Sequence, residues 1–349
     1  MAQDKPVDHV QRKQDHLRIV VDETVSGLGV TTGLERYRLV HRALPELDLA
    51  AIETCTQFLG HELRAPFLIS GMTGGVERGA EINRRLAAAA QAVGCAMGVG
   101  SQRVALEDPS LASTFRVRDV APDILLFANL GAVQLNYGYG PDHCRRAVEM
   151  IDANALVLHL NPLQEALQVG GNTNWGGILR GIESVCTKLG APVIVKEVGW
   201  GISADVARQL VDAGVAAIDI GGAGGTSWSE VERHRAPSDR LRRVASAFGA
   251  WGIPTADSLV MARAVAPNVP LVASGGLRSG VEAATAIALG ADLVGFAAPL
   301  LRAAAVSETD AHEMLTALIE ELRVTMFCCG AADLGQLKQA EIKSDSPLR

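Results

Sequence analysis

A chain of 349 residues with 48% hydrophobic and 20% charged side chains can bury a full core, which excludes wholesale disorder. Its formal charge of -7 argues against general nucleic-acid or membrane-surface binding, so an anionic ligand needs a local basic pocket. Six scattered cysteines without a CxxC pair, no apolar leader over residues 1–8 and no apolar run of membrane-spanning length predict a reduced, cytoplasmic protein. The vicinal Cys328 and Cys329 are read as packing in a helical, Ala-rich tail, with redox activity as the alternative.

Residues 1–65 show no repeating pattern and are expected to form an N-terminal extension. Arg12, Lys13, Asp15 and His16 precede the apolar Leu17, Ile19, Val20 and Val21; alone, such a cluster reads as a solvated helix face. Gly27, Gly29 and Gly33 mark a flexible stretch, and residues 39–49 a mixed connector. From Pro66 a unit repeats, in which an Ala-rich helix ends at glycine and a short apolar strand follows. Gly94, Gly190, Gly214 and Gly290 occupy that junction, where a left-handed residue closes a helix. Helical spacing at Ile82, Leu86, Ala89 and Val93 recurs at Val206, Leu210 and Ala213, and Ser203 and Ser279 are expected N-caps.

Eight strands are predicted, at 67–70, 95–99, 124–129, 155–160, 191–195, 215–220, 271–274 and 291–296. Eight short strands alternating with helices predict an α/β chain, a (β/α)8 TIM barrel over residues 66–349 with long strand-end loops and a helical tail. A doubly wound open sheet is the rival, but Gly222-Ala223-Gly224-Gly225-Thr226-Ser227 lacks the last glycine of a dinucleotide fingerprint.

A barrel builds its site from the C-terminal strand ends, and here all eight turn from apolar to small, amide, hydroxyl or charged residues. On the fourth strand, alternation puts Val157, His159 and Asn161 on one face; Pro162 stops the pairing, and Gln164 and Glu165 follow in the exit loop. Main-chain N–H groups at Gly275 and Gly276 suit a phosphate, the alternative being plain tight turns. Lys196 facing the interior calls for an anion beside it, since no neighbouring cation in sequence depresses its pKa for Schiff-base work. Asn129, Thr73 and Ser101 suit the edge of a heterocycle. A flat, phosphate-bearing ring uses all of these groups, and flavin mononucleotide (FMN) fits.

These motifs resemble the type 2 isopentenyl-diphosphate isomerases. The resemblance rests on Arg12-Lys13-x-Asp15-His16, Met72-Thr73-Gly74-Gly75, Val99-Gly100-Ser101-Gln102-Arg103, Asn129-Leu130-Gly131, His159-x-Asn161-Pro162-Leu163-Gln164-Glu165, Lys196-Glu197, Gly224-Gly225-Thr226-Ser227-Trp228 and Ser274-Gly275-Gly276-Leu277-Arg278. It implies FMN binding by Ser70, Gly71, Met72, Thr73, Ser101, Asn129, Lys196, Thr226, Gly275, Gly276, Leu277, Ala297 and Ala298. Arg12, Lys13, Ser101, Gln102, Arg103, His159, Asn161 and Gln164 are implied to hold an isoprenoid diphosphate, and Glu165 to hold Mg2+. Gln164, His159 and Lys196 are the implied catalytic residues, with NADPH needed only to reduce the flavin. Family members are commonly tetramers or larger.

The chemistry is consistent with a cofactor that carries protons, because an alkene is a very weak base. Side-chain acid–base help gives roughly 10²–10⁴-fold, whereas enzymes accelerate reactions by about 10⁶-fold or more. The nearest rival is an FMN-dependent 2-hydroxy-acid oxidase, which needs a histidine base and an arginine near the sixth strand end, where this chain has Gly-Gly-Ala-Gly-Gly-Thr-Ser-Trp. A nucleotide dehydrogenase needs a loop cysteine there, and none lies between Cys186 and Cys328. A catalytically silent flavin- or phosphate-binding protein is the third reading.

Overall fold

A computed structural model describes residues 9–345. Its centre is a closed barrel of eight parallel strands: β1 (Phe67–Ile69), β2 (Ala96–Gly98), β3 (Leu126–Gly131), β4 (Ala155–Leu160), β5 (Val193–Glu197), β6 (Ala217–Asp219), β7 (Leu271–Ser274) and β8 (Leu293–Phe296). Closure comes from the parallel pairing of β8 with β1, Val294 opposite Phe67. All eight expected strands are present. Gly94, Gly190, Gly214 and Gly290 have positive φ at the junctions, and Ser203 and Ser279 cap their helices, the latter in a reciprocal capping box with Glu282.

β3 and β5 begin and end two residues later than the apolar runs suggest, and β6 and β8 begin two residues later; behind Gly190, Gly214 and Gly290 the first two residues form the turn into the barrel. The shift matters most on β5. Lys196 lies within the strand, paired with His159 of β4 and Asp219 of β6.

Alternation along the strands divides the barrel interior by height. The lower layers hold Leu68, Ala96, Phe127, Ala155, Val157, Ile194, Ala217, Val272 and Leu293. A hairpin of two short antiparallel strands, Thr56–Phe58 and His61–Leu63, adds Phe58 and Leu63 to this cluster and closes the barrel's lower end. The same parity carries Ser70, Asn129, His159, Lys196, Asp219 and Ser274 to the upper end, where the interior becomes polar.

The described part of the extension is integral to this unit. Leu17, Ile19, Val20, Val25, Leu34 and Tyr37 belong to the same hydrophobic cluster as the barrel helices. Strand Tyr37–Leu39 pairs with Ile342–Ser344, tying the two ends of the chain together. Helix His9–Asp22 packs against helices Ala298–Val306 and Trp228–Arg235, and Arg302 Nη2 donates to Val20 O and Glu23 O where it ends. Among the described residues, no helix is long and apolar enough to cross a membrane.

Candidate active site

A cavity of about 610 Å³ opens at the C-terminal end of the barrel, with helix His9–Asp22 along one side. Its main-chain end is built from the loops after β6, β7 and β8. Gly275 and Gly276 have φ of 106° and 85°, and a Cβ on Gly275 would lie 2.0 Å from Gly222 O. Side chains are excluded there, and the backbone itself lines the cavity. The Thr255 hydroxyl braces the crossing, 2.5 Å from Gly275 O and 3.2 Å from Ala223 O.

The helices that follow β7 and β8 differ at their starts. The helix Gly280–Ala288 is already satisfied by its capping box, with Glu282 also accepting from Arg278 N at 2.6 Å. Helix Ala298–Val306 starts at Ala297 with no side-chain cap, and Ala297 and Ala298 line the cavity. Its free N-terminal amides, together with Gly275, Gly276 and Leu277, form the place for an anion. Uncapped backbone N–H groups are thus offered at the start of the helix after β8, while the helix start after β7 is already capped.

The middle of the cavity is polar and incompletely paired. Ser70 Oγ is buried with no hydrogen-bond partner among the described residues. Asn129 Oδ1 lies 2.9 Å from His159 Nδ1. Burial, then the charges of Lys196 and Lys13, push His159 down to about 4. It is neutral at pH 7; with Nδ1–H donating to Asn129, Nε2 keeps its lone pair. Lys196 Nζ donates to Glu197 O at 2.5 Å. The Glu197 carboxylate faces away, accepting from the amides of Gly199, Trp200 and Gly201 and fixing the turn after β5. Met72, Thr73, Gly71 and Thr226 complete the lining of this middle region.

The far end is basic with one carboxylate. Lys13 Nζ donates to Ser101 O at 2.6 Å and Gly74 O at 2.9 Å, and stands 4.9 Å from the centre of the Phe115 ring. Burial, reinforced by neighbouring Arg12, pushes its pKa down to about 7. The Arg12 guanidinium is also lowered by burial, against the attraction of Glu165. Pro162 does more than end β4: at the first helical position it opens a short helix, Pro162–Leu167. Gln164 and Glu165 thus project from a helical turn instead of a loop. Asn161 Nδ2 lies 3.1 Å from both Gln164 Oε1 and Glu165 Oε1, while Asn161 Oδ1 has no partner among the described residues. Glu165 Oε2 accepts from Asn172 N at 2.5 Å and Gln168 Nε2 at 3.3 Å. Arg103 Nη1 donates to Asn172 Oδ1 at 3.0 Å.

One expected contact is not made. The fully buried Gln102 side chain donates to Ala147 O at 2.8 Å and accepts from Asn129 N at 2.9 Å, away from the cavity. Its two amide atoms are consumed in tying helix Pro141–Met150 to β3, so it is a strut. The other expected site residues all line the one cavity.

Nearly the whole chain is matched by curated relatives. Isopentenyl-diphosphate delta-isomerases of Nostoc sp. and Stutzerimonas stutzeri are 53% and 56% identical to it, over 94% and 95% of this chain and 94% and 96% of theirs. This chain belongs to the isopentenyl-diphosphate delta-isomerase family. Residues 164–344 also match the model of the FMN-dependent dehydrogenase family. A mandelate oxidase with an FMN adduct superposes with a TM-score of 0.66 at 20% identity, covering 94% of this chain and 95% of that one; this likeness concerns the fold alone.

Residue patterns left part of the isomerase-family site unseen. Asn172, Gln134 and Gln168 carry the network behind Glu165 and Arg103, with Gln134 Nε2 donating to Asn172 Oδ1 at 3.2 Å. They are ordinary polar loop residues in sequence. His16 carried a signal, since it stands in the basic cluster. It lies 2.9 Å from Glu232 and edge-on to Trp228, securing the helix that presents Arg12 and Lys13.

Proposed function

We propose that this chain interconverts isopentenyl and dimethylallyl diphosphate, using reduced FMN and Mg2+, with NADPH serving only to reduce the flavin. The observation that carries the reading is the layout of a single cavity: an uncapped main-chain cradle at one end, and Arg12, Lys13, Arg103 and Glu165 at the other. Between them stand Lys196, the neutral His159 and the unpaired Ser70 hydroxyl.

The donor set fits FMN. Gly275, Gly276, Leu277, Ala297 and Ala298 would hold its phosphate, while Ser70, Gly71, Met72, Thr73, Ser101, Asn129 and Thr226 would hold the ribityl chain and ring. Reduced FMN supplies a proton donor and acceptor for the alkene without net redox change. Lys196 places a positive charge beside the electron-rich ring. His159, held by Asn129, offers an acceptor lone pair at Nε2, and Asn161 fixes Gln164 toward the reacting carbons. Arg12, Lys13 and Arg103 hold the diphosphate.

Among the described residues, no group of three or more His, Cys, Asp or Glu side chains converges on a metal position. That suits Mg2+, which takes one or two carboxylates and completes its shell with water and phosphate oxygens. Glu165 is the only acid among the described residues lining the cavity, and it would be that ligand.

The rival hydroxy-acid oxidase is disfavoured by the end of β6, where residues 221–226 include neither histidine nor arginine. The test is isomerisation of isopentenyl diphosphate with and without Mg2+ and reductant. Activity should require both and consume no stoichiometric NADPH. Equal activity under oxidising conditions removes reduced flavin from the scheme, and oxygen uptake driven by a 2-hydroxy acid favours the oxidase.

The same reading includes a cytoplasmic homo-oligomer of four or more copies. Exposed apolar side chains such as Leu28, Leu44 and Trp251 supply area for contacts between copies, and light scattering measures the assembly.

A further inference from the structure

Beside Lys196 and Ser274 lies a carboxylate that the scheme above does not use. Asp219 ends β6 on the interior face of the barrel and is 2% exposed. It stands opposite Lys196 on β5 and Val272 on β7. Ser274 Oγ donates to Asp219 Oδ1 at 2.5 Å, and the Gly221 amide donates to the same oxygen at 3.3 Å. Lys196, Ser274 and Gly221 line the cavity, whereas Asp219 does not. The carboxylate is set one layer back, in contact with the site only through its neighbours.

A carboxylate in this position is costly, since the layer below it is entirely apolar. On balance burial raises its pKa, outweighing the downward pull of the Lys196 charge and of the bonds from Ser274 and Gly221. The charged form rests on those groups, with Ser274 and the Gly221 amide both donating to Oδ1 as to an ionised carboxylate. A methyl or amide group would meet the packing needs of β6 at less cost. The groups it touches are site groups, and that indicates its use. The Ser274 proton is committed to Asp219, so the lone pairs of Ser274 face the cavity and the hydroxyl acts there as an acceptor. Lys196 has Asp219 opposite it on the adjacent strand, and it lines the cavity where the flavin would lie.

We propose that Asp219 is a positioning residue of the flavin site, which fixes Ser274 as an acceptor and offsets the charge of Lys196, thereby setting the reduction potential of bound FMN. This rests on the FMN reading above. The sign follows from electrostatics: a negative charge beside Lys196 would disfavour the electron-rich reduced ring more than the neutral oxidised one.

The test uses the full-length holoprotein and the Asp219→Asn variant, nearly identical in shape and without the charge. Dissociation constants for oxidised and reduced FMN are measured by flavin fluorescence and anaerobic titration, and the potential of the bound flavin by equilibration with a redox dye. In the variant the ratio of oxidised to reduced dissociation constants should rise about tenfold, equivalent to about 30 mV upward for a two-electron couple. Ser274→Ala removes the hydrogen bond and keeps the charge, so it should weaken both redox forms and leave the ratio unchanged. If Asp219→Asn does not fold, Asp219→Ser, also neutral and still able to pair with Ser274, should give the same upward shift. An unchanged or lowered ratio in a neutral variant that binds FMN overturns the proposal. A wild-type protein that is colourless and cannot be reconstituted with FMN overturns the underlying reading instead.

Discussion

At the residue scale, Lys13 carries the most specific consequence. Its pKa in the folded protein is about 7, well below the ordinary 10.5, chiefly through burial. A diphosphate beside it favours the charged form, so binding above pH 7 must take up protons. Affinity for inorganic pyrophosphate should therefore fall as pH rises through 7, and calorimetry in buffers of different ionisation heats should register the uptake. In Lys13→Ala the affinity is lower and this proton uptake disappears. For stability the sign is opposite to that of a lysine with a partner: the unfolded chain binds the extra proton between pH 7 and 10.5, so this group makes the unliganded fold more stable as pH rises across that window.

Glu165 gives a second expectation at the same scale. It sits among neutral amides and backbone N–H groups, with Asn161, Gln168 and Asn172 orienting both oxygens. Glu165→Gln should raise the Mg2+ requirement about tenfold or more while FMN content, read from the visible spectrum, stays normal. Loss of FMN with an ordinary Mg2+ response would remove Glu165 from the metal. What sequence made visible at this scale was chemical type at a strand end. Lys196, His159 and Asn129 stand out because they interrupt apolar runs. The direction of Gln102 was not legible, because a polar residue in a site motif says nothing about which way its side chain turns, and here two buried backbone partners take it. Asn172 was missed because its side-chain bonds to Arg103 and Gln134 span 69 and 38 residues of sequence, and its bond to Glu165 is made by the main-chain N–H, which any residue but proline carries.

At the element scale, the barrel strands were legible because each is a short apolar run, four of them directly behind the helix-closing Gly94, Gly190, Gly214 and Gly290. The hairpin beneath them was not. Its strands are three residues long, and its turn is Leu59-Gly60, with Leu59 at a φ of 49° that an L-residue seldom adopts. No Asn-Gly or Asp-Gly signal marks it. Yet Phe58 is 2% exposed, with its ring 6.4 Å from Phe127 within the barrel. Phe58→Ala should cost about 3–5 kcal/mol of stability, by the usual range for a buried aromatic truncated to alanine. The cavity lies at the opposite end, so the FMN spectrum and pyrophosphate affinity at low temperature should be unchanged. Denaturant unfolding followed beside flavin absorbance checks both halves, and simultaneous loss of the spectrum would mean that the plug also holds the mouth in shape.

At the scale of the whole molecule, one cavity is assembled from two parts of the chain with different holds on it. The flavin end belongs to the strand ends from Ser70 to Ala298, inside a closed hydrogen-bonded barrel. The diphosphate end depends partly on helix His9–Asp22, which is fastened by Lys13, by Arg302 and by the His16–Glu232 contact, together with Leu17, Ile19 and Val20. A helix packed on the outside of a closed barrel opens at a lower free energy than the barrel does. Diphosphate between Arg12 and Lys13 on the helix and Arg103 on the barrel would add a link across the two. If cleavage in residues 23–33 requires the helix to lift, bound ligand slows it by the factor 1 + [L]/Kd, about hundredfold at a hundred times Kd. Saturating Mg2+–pyrophosphate should thus protect this connection, whereas FMN alone should raise the melting temperature with little effect on the cut. Quantitative limited proteolysis of wild-type protein and Lys13→Ala, at matched ligand saturation, separates the two effects. A cutting rate at 23–33 that ignores pyrophosphate would mean that the helix stays down whether or not the diphosphate end is filled, and that the cavity opens by another route.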